Sequence, residues 1–362
     1  MKKLEPKFFI TCGAIILIPV IIMIFLFAIR GCSGKKSYKS YENMMVQSAK
    51  SYAKKHKMFP SKGKQVIVKV DDLVSDGLKN PDKALKDTTC SGSVVIKNNS
   101  NSNVNEKYYS YIPYLECSKY KTDYIKDHLM KDVTSENSGL YKSEDEYVFK
   151  GNKVDNYLSF YGIIYRIIKI DAEGNLKLIK QDSQEVSINW DNKYNIDKND
   201  YSGISNYRDS VILDRLIEDY KNNKNLTDLA KEKIIPHDVC IGKRSTNNLS
   251  INVTTECADK LEDQVLTLPS ITDFLQASYD SNCKKIGDLS CTNYNYMAEF
   301  INYTWTLDTV REDNSLVYYL DSLGADLEIA NKFKKYNWVF YIDSEQLYQG
   351  GSGTLKDPYI IK

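Results

Sequence analysis

Residues 157–180 read YLSFYGIIYRIIKIDAEGNLKLIK, and the reading of this stretch decides the fold. Ile163, Ile164, Tyr165, Ile167, Ile168 and Ile170 are almost all β-branched or aromatic, the residue types that fill a pleated surface. Asp171-Ala172-Glu173-Gly174-Asn175 is turn chemistry, and Leu176-Lys177-Leu178-Ile179 resumes the β pattern. A turn between two such runs predicts antiparallel neighbours. Upstream, Tyr147-Val148-Phe149-Lys150-Gly151 adds a strand, so 147–180 is expected to be a meander.

Working outward, the texture alternates. Val211, Ile212, Leu213, Leu216, Ile217 and Tyr220 recur at helical spacing and predict an amphipathic helix over about 209–222. A second helix is expected at about 226–234, ending before Pro236. Leu268-Pro269-Ser270-Ile271-Thr272-Asp273-Phe274 opens a further helix, with Ser270 or Thr272 as N-cap. β-rich pieces follow around Trp305 and Trp338, and the chain closes on Gly350-Gly351-Ser352-Gly353-Thr354 and Asp357-Pro358-Tyr359.

Taken in order, these features make 147–362 resemble a C-type-lectin-like module akin to the formylglycine-generating (sulfatase-modifying factor) superfamily. The features are the meander, the Ser-x-x-Leu helix, the Leu268-Pro269-Ser270 turn into a helix, the Trp305-Thr306-Leu307 strand and the G-S-G-T-x-x-x-P-Y tail. The tail also resembles that of surface proteins of Gram-positive bacteria. The resemblance implies a bacterial surface module of α+β fold, with antiparallel strands and two helices. Two departures limit it. The superfamily's enzymes place a copper-binding cysteine pair late in the domain, whereas the last cysteine here is Cys291. Sugar-binding C-type lectins carry E-P-N or Q-P-D and W-N-D strings; neither occurs, and Trp190-Asp191-Asn192 has those residues in another order. Neither oxidase chemistry nor calcium-dependent sugar binding carries over.

At the other end, Phe8 to Ile29 form one apolar run, FFITCGAIILIPVIIMIFLFAI, with no charge. About 22 helical residues reach about 33 Å, enough for a hydrocarbon core. The run exceeds a signal-peptide core, and no A-x-A-like site follows it, so an uncleaved anchor is expected. Ile29-Arg30-Gly31-Cys32 has a lipobox outline, with Arg30 where a small or apolar residue belongs; lipidation at Cys32 is the alternative. Lys2, Lys3 and Lys7 precede the run and Arg30, Lys35, Lys36 and Lys39 follow it, so charge sets orientation only weakly.

Cysteine usage says more. Besides Cys12 and Cys32, six cysteines fall as local pairs: Cys90 with Cys117, Cys240 with Cys257, Cys283 with Cys291. Six cysteines allow fifteen connectivities. Nearest-neighbour pairing is the expectation, because each pair lies in one segment. Disulfides persist outside the cytosol, so a short cytoplasmic N-terminus (1–7) and an extracellular body are expected.

Residues 37–57 carry Tyr41, Met44, Met45, Ser48, Ala49 and Tyr52 at helical spacing, with Pro60 beyond. Gln65–Val70 reads as a strand and Asp71–Val74 as a short helix. Ser91–Lys97 and Lys107–Cys117 read as a hairpin stapled by Cys90 and Cys117. An apolar span, a long helix and a small stapled sheet resemble pilin-like membrane-anchored proteins over about 8–120. The prepilin Gly ahead of the span and Glu within it are missing. The expected organisation is therefore an N-terminus at 1–7, an anchor at 8–29, a pilin-like α+β domain at 30–117, a polar linker at 118–146 and a lectin-like domain at 147–362.

The charge balance, 49 basic against 48 acidic residues, argues against a nucleic-acid partner. His237, Cys240 and Cys257 sketch a metal cluster, and Asp197, Asn199, Asp200 and Gly203 a calcium loop. Both miss the proper spacing, so no metal, cofactor or catalytic residue is expected. No nucleophile elbow, zincin helix, P-loop or dinucleotide fingerprint occurs. Trp190, Trp305 and Trp338 are expected in the core, with Trp190, in the polar run INWDNKYN, the candidate ligand contact. The function expected is a ligand-binding or adhesion module held at the membrane, its partner a surface glycan or protein. The alternatives are a component of a pilin-like or secretion assembly, or an extracytoplasmic enzyme on a lectin-like fold.

Overall fold

A computed structural model describes residues 37–98, 109–246, 248–283, 290–291, 295–322, 324–343 and 345–361. The expected anchor at 8–29, Cys12 and Cys32 lie outside the described residues, as do residues 99–108 of the expected hairpin. Among the described residues no helix is long and apolar enough to cross a membrane. The chain is α+β with mostly antiparallel sheets and few helices. Its described residues form two compact units, one of 37–55, 68–94 and 113–121, the other of 56–67, 95–112 and 122–361.

In the first, helix α1 (Tyr38–His56) turns Tyr41, Met45, Ala49 and Ala53 inward, one stripe at four-residue spacing. The Tyr41 hydroxyl donates to the Lys79 carbonyl at 2.6 Å, Tyr38 to Asp87 at 2.7 Å and Tyr120 to Glu42 at 3.0 Å. The long tyrosines thus bury their rings and still satisfy their hydroxyls. Strand β1 (Gln65–Lys69), helices α2 (Val70–Ser75) and α3 (Pro81–Leu85), and strands β2 (Ser91–Asn98), β3 (Tyr109–Cys117) and β4 (Tyr120–Lys121) follow. The sheet order is β1-β2-β3-β4. Gly92 lets the strands close against α1, since a Cβ there would sit 2.4 Å from the Tyr114 carbonyl oxygen. Cys90 and Cys117 are disulfide-bonded.

The longest stretch of the second unit starts at Thr122, inside the segment expected to be a linker. Residues 118–146 are polar, yet they carry β4, helix α4 (Ile125–Leu129) and strand β5 (Gly139–Ser143). Three apolar side chains, Ile125, Leu129 and Leu140, anchor them in the core. The meander follows as β6 (Glu146–Lys150), β7 (Tyr157–Phe160), β8 (Ile163–Ile170) and β9 (Leu176–Lys180). In β8, Tyr165, Arg166, Ile167, Ile168 and Ile170 are buried, as two covered faces require. Strand β10 (Ile188–Asn189), helix α5 (Val211–Asn222), helix α6 (Asp228–Lys231), and strands β11 (Ile234–Ile235) and β12 (His237–Cys240) come next. Ser210 caps α5 by accepting from the Leu213 amide. Helix α7 (Val253–Glu256), strand β13 (Lys260–Gln264) and helix α8 (Ile271–Gln276) precede strands β14 (Thr304–Thr309), β15 (Leu316–Asp321), β16 (Gly324–Ile329), β17 (Phe333–Lys334), β18 (Val339–Ile342), β19 (Tyr348–Gly350) and β20 (Tyr359–Ile361). The nine-stranded sheet runs β11-β18-β9-β8-β7-β20-β19, with β6 also on β8 and β5 on β6; β20 joins β7 in parallel.

Buried polar groups tie these layers. Asp219 on α5 accepts from Trp338 Nε1 at 3.0 Å and from the Tyr336 hydroxyl at 2.8 Å. Arg166, fully buried, has no carboxylate beside it among the described residues. Its guanidinium lies 3.8 Å from the Tyr157 ring centroid and donates to Asn156 and to the Val154 carbonyl. Aromatic faces and amide oxygens stand in for a counter-ion there.

Candidate ligand-binding groove

Strand alternation builds the groove. In the β5–β6 pair, Gly139 faces Lys150 and Tyr141 faces Val148. Lys150 and Tyr141 therefore share one sheet face as diagonal neighbours. The lysine lies across toward Tyr141, with Nζ 5.6 Å from the ring centroid. Gly151 ends β6 at φ +110°, and a Cβ there would collide with Ser138. That turn lets the Gly151 amide reach the Ala277 carbonyl at 3.0 Å, which brings the end of α8 to the meander.

Helix α8 supplies the second wall. Ser270 accepts from the Asp273 amide and Asp273 from the Ser270 amide, a capping box that fixes where the helix starts. The helix stops at Gln276, and Ser278, Tyr279, Asp280 and Ser281 continue along the groove. Tyr279 meets Tyr141 edge to face with centroids 6.2 Å apart, and its hydroxyl accepts from the Asn137 amide at 3.2 Å. Ile251 and Leu275 form the apolar part of the lining. The groove holds about 610 Å³, within the range of roughly 300–1,000 Å³ usual for small-ligand sites. Cys283, on its rim, is bonded to Cys291.

Electrostatically, Lys150 stands out. It is half-buried, and among the described residues it has no hydrogen bond or ion pair. Burial alone pushes its amine below the usual lysine range. Lys180 is held similarly, with Nζ 5.5 Å from the Trp338 ring centroid and its amine lowered chiefly by burial, whereas the buried charges of Lys177 and Arg244 are matched. Lys177 holds Asp273 through both carboxylate oxygens at 2.7 Å. Fully buried Arg244 binds Asp308 at 2.6 Å, Glu256, Thr272 at 2.9 Å and the Ser250 carbonyl at 2.7 Å. Burial, together with Asp308, lifts the Glu256 carboxyl above the ordinary glutamate range despite Arg244.

The residues singled out from sequence do not meet in this groove, apart from the Cys283–Cys291 pair. Trp190, the candidate ligand contact, is fully buried, and its Nε1 donates to the Thr306 carbonyl at 3.0 Å. No ring face is left for a ligand; the polar run around it folds over a large apolar ring. Cys240 and Cys257 form a disulfide, so they offer no thiolate to a metal. His237 instead stacks on Tyr341 with centroids 3.7 Å apart. The two places where an acid lies beside two sulfurs, Asp87 with Cys90 and Cys117 and Asp280 with Cys283 and Cys291, are likewise disulfides. In the calcium-like loop the acids make loop bonds: Asp200 accepts from the Ser202 amide at 2.9 Å and Asp197 from the Asn314 side chain. Tyr141, Lys150 and Tyr279 carried no local motif. Tyr141 sits in the polar stretch read as a linker, and Lys150 in the meander.

Compared with protein-family models, with curated proteins and with solved structures, the chain matches none.

Proposed function

We propose that this chain is a single-pass, membrane-anchored extracellular protein whose C-terminal unit binds a surface ligand, a glycan or a protein, in the groove between β5–β6 and the end of α8. One observation carries the reading. A concave site gathers two tyrosine rings, serine and glutamine side chains and a lysine without a partner among the described residues. Concavity, aromatic faces and a few convergent polar groups are the features of binding sites. Three disulfides support an extracytoplasmic body, and the apolar run at 8–29 is the anchor.

The lectin-like reading of this unit draws support from element order. A meander, a Ser-capped helix, a second helix after Leu268-Pro269-Ser270 and a tryptophan strand follow one another as that resemblance requires. The pilin-like reading of the first unit draws support from a 19-residue helix followed by a small disulfide-bonded sheet.

The test is a screen of cells displaying the full chain against arrayed glycans, cell-wall fragments and matrix proteins. A selective partner is expected whose binding falls at least tenfold on Tyr279→Ala. Undiminished binding by both Tyr279→Ala and Tyr141→Ala would remove the groove from the reading. Full protection of the body from protease on intact cells would remove the extracellular placement.

A further inference from the structure

We propose that the groove takes an anionic saccharide, with an oxyanion seated on the Lys150 ammonium and a sugar ring laid against Tyr279. This rests on the groove being a binding site and adds the chemical class of its ligand.

The first ground is the uncompensated charge. A carboxylate compensates a half-buried ammonium, as Glu146 does for Lys169 at 2.8 Å and Asp273 for Lys177. Lys150 has none among the described residues, although it lines a groove that has room for one. Asp280 lines the same groove, and its side chain accepts from the Asn282 amide at 2.8 Å; among the described residues no acid is paired with the lysine. An incoming oxyanion would supply the missing partner in a site already part-desolvated, where a charge-assisted bond is strongest.

The second ground is the rest of the lining. Tyr279 is 40% exposed, and its hydroxyl accepts from the Asn137 amide while its ring meets Tyr141 at a steep angle, so its position on the groove is already fixed. Ser135, Gln276 and Ser281 offer hydroxyl and amide groups to a hydroxyl-rich ligand. The edge of β5 is already engaged. The Thr134 amide donates to the Leu140 carbonyl at 2.8 Å, and Val133 bridges Leu140. That disfavours an extended peptide adding itself as a strand.

The oxyanion is a carboxylate or a phosphate, and the experiment separates them. The full-length chain in lipid nanodiscs is titrated with a glucuronate-bearing oligosaccharide, the same oligosaccharide with its carboxylates reduced to alcohols, a glycerol-phosphate oligomer and an oligoglutamate peptide. The expected result is at least tenfold tighter binding of the uronate than of the reduced saccharide, and tight binding of the ring-free glycerol phosphate alone would overturn the sugar stack on Tyr279. Lys150→Gln should abolish that preference, and Lys150→Arg should keep it. Near-ultraviolet circular dichroism and an unfolding midpoint no lower than that of the wild type show that each variant is folded. Equal binding of acidic and reduced saccharides, lost on Tyr279→Ala, would overturn the anionic proposal and leave the groove as a binding site. Oligoglutamate bound as tightly as the uronate and dependent on Lys150 would overturn the saccharide. Binding of none of the four would overturn both the proposal and the reading beneath it.

Discussion

Trp190 and Trp305 clasp each other's strand. The Trp190 Nε1 donates to the Thr306 carbonyl at 3.0 Å, and the Trp305 Nε1 donates to the Ile188 carbonyl at 2.8 Å. Each indole thus binds the backbone next to the other tryptophan, and both rings are fully buried. The clasp joins the segment entering α5 to β14, which are more than a hundred residues apart in sequence. Trp190→Ala should cost about 3–5 kcal/mol, the range for emptying a large aromatic site. Trp190→Phe should cost less, keeping most of the packing and orphaning one carbonyl. Urea unfolding measures both. A surface tryptophan would show neither loss, so an unchanged midpoint in Trp190→Ala would contradict the buried placement.

The meander was legible in sequence because β8 must be apolar on both faces, and that constraint writes six β-branched or aromatic residues into eight positions. Ser270 was legible as a cap for a similar reason, since a helix start needs a side-chain acceptor and Asp273 three residues on completes the box. The segment at 118–146 was not legible. Only Ile125, Leu129 and Leu140 anchor it, too few to raise a periodic signal above its polar composition. The groove was hidden for a different reason. Tyr141, Lys150 and Tyr279 meet only because Gly151 turns β6 toward Ala277, a contact across 126 residues, and no local spacing encodes it. Trp190 misled because its neighbours are polar; a polar run can fold over a buried ring when loop bonds satisfy its own groups.

The Arg244 cluster allows a signed comparison. One guanidinium faces two carboxylates, Asp308 and Glu256, all buried. Because Glu256 is held toward its protonated form, Glu256→Gln should change stability at neutral pH by no more than about 1 kcal/mol. Arg244→Met leaves Asp308 buried without its cation and should cost about 3–5 kcal/mol. Chemical denaturation of the two variants decides. Equal losses would mean that Glu256 is ionised and paired, contrary to the direction of its shift.

His237 gives a pH dependence of the opposite sense to that of Glu256. Burial, reinforced by Lys177 and Lys169, lowers its imidazole to about 4 from an ordinary 6.5. Between those values the unfolded chain binds a proton that the folded chain refuses, so stability falls as pH falls. The contribution is complete above pH 6.5 and is lost on the way to pH 4. It should reach roughly 2–3 kcal/mol. His237→Phe retains the stack on Tyr341 and cannot take the proton. The difference between wild type and variant should therefore slope across this window and be flat above it. A flat difference throughout would place the imidazole in solvent.

Lys150 separates a binding role from a structural one through stability itself. A lysine that holds the fold loses stability when its charge is removed. Lys150 has no partner to lose among the described residues, and its ammonium is part-desolvated. Lys150→Met keeps the stem over Tyr141 and removes the charge, so it should be neutral or stabilising by about 0.5–1 kcal/mol at neutral pH. The folded-state amine releases its proton at lower pH than the unfolded one. Wild-type stability should therefore rise relative to the variant as pH climbs toward 10.5, because there the unfolded chain binds more protons. A groove that keeps a destabilising cation at its centre does so for what the cation meets. The same substitution should then raise the unfolding midpoint and lower affinity for an acidic saccharide; a fall in both would assign the lysine to the fold.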